Sequence, residues 1–532
     1  MEIPKLMKEK YAQAKELIEK SSDIKIYSHI DCDGICSGAI LSTILDRLNK
    51  PHDIDFVNLD VLDNLKLDHE LTIFSDLGSG QSIDMHAKEG QKIIVLDHHP
   101  PLRDIDYGKN KDYTYLEINP NHYGIDGSYY VCGGGLCYFL SKEFGYKDLS
   151  WIGVLSAIGD MQNNKTGHFE GLNKIIQEDA INEGYLELEK NDLNIYGRNT
   201  RELFIALSYF SDVTLPITNN QNETKALLDE LAIDSTITNI TPEEKDVLEK
   251  IGIICKDNTH TFSRQDRGIL NRELDSIRKA QTLPIYLNKD EFMILNSISQ
   301  RIKRKTLSEL TNAEKGKLYN SLNRMIANAV PGKYVKYIPS ILIGDSYTFL
   351  LEDPASFLRD GAEFSTAMNA CGRNKEEKIA MEVLKGDRQW ALIELENISR
   401  THRYNLATSM EKVTSKGNIK ELENFQYFDG DGIKPEIVGT ITGMILGYCN
   451  WKKPIIGFTQ IENSNGLKVS LRCSRFLSYD GIHFGNIIRE VSSAIGGTGG
   501  GHSMACGAYI PINKKSEFLN KFNKALEGKI DN

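Results

Sequence analysis

Four short stretches hold side chains that could bind cations. The first, His29-Ile30-Asp31-Cys32-Asp33-Gly34, sets one imidazole and two carboxylates on alternate residues at the end of an apolar run, residues 24–28. Side chains two apart on a strand share a face, so these three groups can converge on one point. Such a cluster needs an opposing charge, and a divalent cation is the economical one. Taken alone, the stretch could equally be a polar strand-to-helix loop. Three later stretches repeat its plan: Ser75-Asp76-Leu77-Gly78, Leu96-Asp97-His98-His99-Pro100 and Ile158-Gly159-Asp160-Met161 each follow an apolar run. Four in order, one carrying Asp-His-His, point to a metal site.

The elements that must position these groups follow from periodicity. Apolar runs at 24–27, 54–59, 71–74 and 93–96 alternate with helical stretches, which predicts an α/β domain with a largely parallel sheet covered on both faces. In such sheets the ligand crevice lies at the carboxyl ends of the strands. This domain is expected over residues 1–209. Within it, a long polar connection runs from Pro101 to Tyr115, and Cys132-Gly133-Gly134-Gly135-Leu136 opens a helix. Those glycines serve either close helix packing or the approach of backbone to a phosphate.

Residues 210–335 are expected to form a mostly helical middle domain. Thr241-Pro242-Glu243-Glu244 reads as a helix start, and Leu318, Leu322, Met325 and Ile326 share one helical face. The basic run Gln300-Arg301-Ile302-Lys303-Arg304-Lys305 is either a solvated helix face or a patch for a strand or partner. Residues 336–532 make a second α/β domain. It has a long charged helix around 390–404, strands at 454–458 and 467–471, a glycine-rich stretch Gly496-Gly497-Thr498-Gly499-Gly500-Gly501-His502-Ser503, and a closing strand and helix.

The four metal-capable stretches together resemble the DHH phosphoesterase superfamily. The resemblance implies two divalent cations, manganese ahead of magnesium, as suits an oxygen-rich site with some imidazole. It assigns His29 and Asp31 to one ion, Asp33, His98 and Asp160 to the other, and Asp76 to both. His99 would face the phosphate or protonate the leaving oxygen. Asp97 would orient a neighbouring histidine, with His86 and His122 at the surface or in support. The tail resembles the superfamily's DHH-associated domain, expected to form a cleft with the first domain. That likeness implies substrate contacts from Gly499, Gly500, Gly501 and His502, whose backbone could bend into an anion nest. It adds a Ser-x-Arg element, Ser470 and Arg472, followed here by Cys473 where relatives often have serine.

Leu358 to Arg373, Ile158 to Gln162 and Tyr123 to Ser128 are similar to archaeal RecJ-like single-strand exonucleases, including the GINS-associated nuclease, and add Arg373 to the substrate contacts. The implied activity is metal-dependent release of mononucleotides from ends of single-stranded DNA or RNA, in replication, repair or RNA processing. Two other roles stay open: a phosphodiesterase for short or cyclic nucleotides, and a replication scaffold associated with GINS or helicase components. The stacking domain that bacterial RecJ carries after its glycine-rich motif is not expected here.

Composition bounds these possibilities. The 532 residues are 40% hydrophobic with net charge −11. That balance excludes a broadly basic nucleic-acid coat but leaves room for a local basic groove. No apolar run approaches the ~20 residues of a membrane span, and the N-terminus opens a charged amphipathic helix rather than a signal peptide. The nine cysteines contain no CxxC pair, which predicts free thiols in a reducing cytoplasm.

Overall fold

A computed structural model describes residues 1–233, 236–255, 258–280, 282–302, 305–415, 417–461 and 464–530. Its chain divides into two compact units, Met1–Tyr196 with Gly332–Asn532, and Gly197–Pro331.

In the first unit, β1 (Ile24–His29), β2 (His52–Val57), β3 (Leu71–Ser75), β4 (Lys92–Leu96) and β5 (Thr114–Ile118) form a parallel sheet in the order β2-β1-β3-β4-β5. Strands β3 and β4 are buried almost throughout: helices cover the face of Ile73 and Ile94, while Phe74, Ile93 and Val95 on the other face pack under Leu62, Leu67, Leu77 and Ile83 of the connecting segments. The fifth strand is the departure from expectation, because it starts inside the supposed polar connection. Its alternating Thr114-Tyr115-Leu116-Glu117-Ile118 is short and follows charged residues, so its apolar signal is weak. The N-terminal amphipathic helix, Lys5–Lys20, buries Met7, Tyr11, Ala14 and Ile18.

Helices Cys32–Arg47 and Gly133–Glu143 pack on the sheet, and Ser150–Gly159 packs on both of them. Helix Gly361–Arg373, far along the chain, joins the same core through Phe364, Met368 and Cys371. The contact is close: a Cβ on Gly372 would stand 1.8 Å from the carbonyl oxygen of Ile30. Asn369 Oδ1 accepts the Cys32 N–H at 3.0 Å. Strands β6 (Leu186–Leu193) and β9 (Ile343–Phe349) pair antiparallel, so the chain re-enters this unit beside the point where it left.

The second unit holds helices Gln221–Glu230, Pro242–Lys250, Arg264–Ala280, Lys289–Arg301 and Asn312–Ala329, with a small antiparallel pair, β7 (Thr236–Asn239) and β8 (Thr259–Phe262). Thr241 and Glu244 form a reciprocal capping box at the start of Pro242–Lys250, as the sequence predicts. Leu318, Leu322 and Ile326 are buried. Lys303 and Arg304 of the basic run lie outside the described residues.

The C-terminal sheet runs β10 (Ile419–Glu421), β11 (Gln426–Asp429), β12 (Ile455–Gln460), β13 (Gly466–Arg472), β15 (Ala505–Pro511), β14 (Thr498–Gly501). Alternate residues of β13 and β15, Leu467, Val469, Leu471, Cys506, Ala508 and Ile510, face a core shared with helices Phe484–Ser493 and Lys515–Ala525. The other face of those strands, carrying Lys468, Ser470 and Arg472, lies toward helix Pro435–Met444. Among the described residues, no helix is long and apolar enough to cross a membrane. All nine cysteines are free and buried.

Candidate metal centre

The carboxyl ends of β1, β3 and β4 deliver the site. Asp31 caps helix Cys32–Arg47, accepting the Gly34 N–H at 3.1 Å. The turn is tight enough that a Cβ on Gly34 would lie 2.2 Å from the His29 carbonyl oxygen. Asp76 follows β3 at φ 58°, a left-handed conformation that Asp tolerates better than most residues. Its N–H donates to the Leu96 carbonyl at 2.9 Å, which pins the strained residue between β3 and β4.

Six of the expected ligands come together in two groups. His29, Asp31 and Asp76 form one, Asp33, His98 and Asp160 the other, with ligating atoms within 4.8 Å of one another in each. His29 Nδ1 lies 3.1 Å from Asp31 and 3.4 Å from Asp76 Oδ2. His98 Nε2 lies 3.2 Å from Asp76 Oδ1, 3.5 Å from Asp33 and 3.8 Å from Asp160. The carboxylate of Asp76 therefore presents one oxygen to each group. His98 is oriented for this, because its Nδ1 stands 2.7 Å from the Gly127 carbonyl, which can only accept. That bond leaves Nε2 to face the carboxylates. Asp160 does not leave a strand: it follows helix Ser150–Gly159 and accepts the Gln162 side-chain amide at 2.8 Å.

Four carboxylates thus face two imidazoles; Asp33, Asp76 and His98 are buried, and Asp31 is the most open of the set. Burial, then the charges of Asp33 and Asp31, push Asp76 up to about 8. Burial also raises Asp160, to about 6, against the pull of His98. On His29 burial opposes the charge, but Asp31 and Asp76 outweigh it and raise the imidazole well above its usual range. His98 is raised in the same way by Asp160, Asp76 and Asp33. His29 Nδ1 and Asp76 Oδ2 are buried without a hydrogen-bond partner, a costly state that a shared cation would relieve. An all-oxygen and imidazole donor set suits manganese or magnesium.

Asp33 is held by groups whose role was not legible. The N–H of Gly133 donates to its Oδ2 at 2.8 Å and that of Gly134 to its Oδ1 at 2.7 Å, while the Ser156 hydroxyl also donates to Oδ1. Oδ1 is then filled, and Oδ2 keeps a lone pair toward His98. The glycines are obligatory, since a Cβ on Gly133 would come within 2.7 Å of Asp76 and one on Gly134 within 2.2 Å of Ser156. They serve close packing, and their N–H groups grip a carboxylate of the protein itself. No residue-type signal announces a backbone donor.

Asp97 is fully buried and orients His99, accepting its backbone N–H at 3.1 Å and Nδ1 at 2.8 Å. The His99 side chain remains 46% exposed beside the cluster. His86 is exposed. His122 is not at the surface as a side chain: it is 6% exposed and stands 3.6 Å from buried Glu117, away from the ligands.

The expected substrate groups gather elsewhere in the same unit. A cavity of about 300 Å³ is lined by Arg373, Glu436, Ser470, Arg472, Gly500 and Gly501 among others, and by none of the ligating groups. Neither Arg373 nor Arg472 has a carboxylate partner among the described residues; Arg373 donates to the Glu436 carbonyl at 2.9 Å and Arg472 to that of Leu471 at 2.8 Å. Burial, then the charge of Arg373, lowers Arg472 to about 10. Asp31 acts on Arg373 in the opposite sense, which ties the cavity electrostatically to the metal groups. The Cys473 thiol lies 3.9 Å from the Met504 carbonyl, a long contact.

The glycine-rich tail corrects an expectation. Gly499, Gly500 and Gly501 do not bend into a nest; they lie in the edge strand β14, paired with Ala508, Gly507 and Cys506. Glycine is required there by crowding, as a Cβ on Gly499 would stand 2.6 Å from Ser492 Oγ. His502 follows the strand; burial lowers its pKa, with His99 and His98 adding to the effect.

Comparisons with known proteins agree with this architecture. Residues 23–156 match the DHH family N-terminal domain and residues 422–528 the DHHA1 domain. Protein MJ0831 of Methanocaldococcus jannaschii is 28% identical over 512 residues, 94% of this chain and 93% of that one. CDC45 from Entamoeba histolytica shares the fold with TM-score 0.52 at 11% identity, covering 98% of this chain and 99% of that one. RecJ from Thermus thermophilus, solved in complex with Mn²⁺, gives TM-score 0.51 at 13% identity over 99% of this chain, which spans 55% of that protein's length. The chain thus carries a DHH N-terminal domain, which holds the Asp97-His98-His99 stretch, and a DHHA1 domain, in a fold shared with RecJ.

Proposed function

We propose that this chain is a two-cation phosphodiesterase that works from an end of single-stranded DNA or RNA and releases mononucleotides. The observation that carries the proposal is the meeting of two ligand groups at one carboxylate, Asp76. His29 and Asp31 would hold one ion, Asp33, His98 and Asp160 the other, and Asp76 both, with manganese ahead of magnesium. When bound, such a pair of cations supplies an activated water and neutralises the scissile phosphate.

The protein's own groups do the rest. Asp97 fixes Nδ1 of His99, so Nε2 is the nitrogen that delivers a proton to the leaving oxygen. Arg373 and Arg472, lacking carboxylate partners among the described residues, take phosphate oxygens through their forked guanidinium groups. His502 lies within electrostatic reach of His99 and His98. A cavity of about 300 Å³ suits a phosphate and its sugar, not a duplex. The acidic whole and local basic cavity together favour a strand held at a few phosphates, with salt-sensitive binding.

A second reading is a replication scaffold that assembles with GINS or helicase components. It draws on the fold shared with CDC45 along nearly the whole of both chains. The filled set of six ligand positions favours catalysis, and assembly is compatible with it. The test is end-labelled linear single-stranded DNA and RNA, circular single-stranded DNA, blunt duplex and a cyclic dinucleotide, each incubated with Mn²⁺ or Mg²⁺. Mononucleotides released from linear single strands alone support the proposal. Rapid cutting of the circle, or activity confined to the cyclic dinucleotide, overturns it.

A further inference from the structure

The face of β13, β15 and β14 that floors the arginine cavity continues beyond it. Register places Arg472 opposite Ala505, Ser470 opposite Gly507 and Lys468 opposite Tyr509. On β14, Gly500 is opposite Gly507 and Thr498 opposite Tyr509. Since alternate residues of β15 point into the core, Ala505, Gly507 and Tyr509 share the cavity's face. Gly500 and Gly507 leave the floor bare of side chains.

Tyr509 stands at the far edge of this floor. It is 49% exposed, while its strand neighbours Ala508 and Ile510 point into the core. The ammonium of Lys468 lies 5.6 Å from its ring centre. Across Gly500, a Cβ would lie 3.2 Å from the guanidinium of Arg489, so that exposed cation reaches over the bare edge strand. Nearest to farthest, the face therefore offers a phosphate grip, an open floor, a guanidinium at the rim and an exposed aromatic ring. Four residue steps along the strand take Ala505 to Tyr509, about 13 Å. That is well beyond the ~3.4 Å rise per nucleotide of a duplex strand, so the ring and the phosphate grip meet different nucleotides.

Resting on the nuclease reading, we infer that Tyr509, with Arg489 and Lys468 beside it, is a second subsite, a stacking platform for a base of single-stranded nucleic acid several nucleotides from the phosphate held by Arg373 and Arg472. Stacking on an aromatic ring tolerates any base, because every base has a π-face, and it rewards length rather than sequence.

The test compares a ten-nucleotide single strand with a dinucleotide, using the full chain with Mn²⁺ and the variants Tyr509→Ala, Tyr509→Phe and Arg489→Gln. The ratio of kcat/KM for the ten-mer to that for the dinucleotide should fall about tenfold in Tyr509→Ala, the loss of one stacked base. Tyr509→Phe, which keeps the ring, should restore the ratio, and Arg489→Gln should lower it less and chiefly at low salt. A ratio unchanged in Tyr509→Ala, or lowered equally in Tyr509→Phe, overturns the platform. Fluorescence anisotropy of the labelled ten-mer without added metal reads the platform independently of cleavage. Binding weakened in Tyr509→Ala beside a wild type that cleaves nothing would keep the platform and sink the nuclease reading. Binding indifferent to the substitution beside normal cleavage would do the reverse.

Discussion

Asp76 and His98 stand 3.2 Å apart, Oδ1 to Nε2, at the ends of neighbouring parallel strands, and the other oxygen of Asp76 is turned to His29. The carboxylate that joins the two ligand groups is thus also the residue the backbone strains to place.

Replacing Asp76 should separate function from stability. Asp76→Asn keeps a residue type that accepts the left-handed backbone but removes a carboxyl that burial and Asp33 disfavour as an anion. Calorimetric melting should show the metal-free variant no less stable than the parent. The gain on adding Mn²⁺, about 2.7 kcal/mol at a hundredfold excess over Kd for one site, should disappear with cleavage. Near-parental hydrolysis in this variant, or in Asp76→Ala, would remove Asp76 from the bridging role.

The clamp on Asp33 gives a second expectation. Ser156→Ala deletes one of three donors to that carboxylate while leaving the Gly133 and Gly134 N–H groups in place. Mn²⁺ affinity should fall roughly 10–100-fold, the usual cost of an outer hydrogen bond to a ligand. Titration calorimetry giving the parental affinity would show that the two backbone donors suffice.

His99 and Asp97 should act on the chemical step. His99→Ala is expected to lower kcat by about 10²–10⁴ with Mn²⁺ stoichiometry retained. Asp97→Asn should lower it less, because the imidazole stays but loses its anionic anchor. Loss of bound Mn²⁺ in step with activity would make His99 a ligand instead.

Arg373→Ala and Arg472→Ala should each raise KM on single strands more than they change kcat. Both side chains line one cavity, so the double variant should cost less than the two single effects added. Additive losses would put the two on separate phosphates.

A pH effect follows from His402, on the long helix Trp390–Thr414. Burial, then the nearby charge of Arg373, push its pKa down to about 4. Unfolded, the ring titrates near 6.5, so between these values the unfolded chain binds a proton that the folded chain refuses. The stability due to the neutral ring is complete above about pH 6.5 and is lost as pH falls toward 4. Melting temperature should therefore fall more steeply across that window in the parent than in His402→Gln. Parallel curves would show that the ring accepts its proton without cost.

The candidate metal site was legible because its signal is carried by side-chain type at strand ends. His29, Asp31 and Asp33 alternate after β1, and Asp76 and His98 follow equally plain apolar runs. Asp160 could be picked out by its apolar approach, yet that approach is a helix, since a short buried run has no distinguishing period. What stayed hidden depends on backbone or on distance in the chain. The donors to Asp33 are two peptide N–H groups, the edge strand at Gly499 to Gly501 has no side chains to alternate, and Asn369 meets Cys32 only through the fold.

That last meeting sets a gauge. Gly372 leaves no room for a methyl group against Ile30, one residue from His29 and Asp31, and Arg373 is the next residue along. Two backbones in contact admit no adjustable spacer. The interval between the arginine's anchor and the His29–Asp31 turn is therefore fixed by packing and not by a flexible side chain. On the function proposed above, a strand gripped by Arg373 would be measured against that interval, and the phosphodiester presented to His29 and Asp31 would be set by distance along the strand and not by its bases.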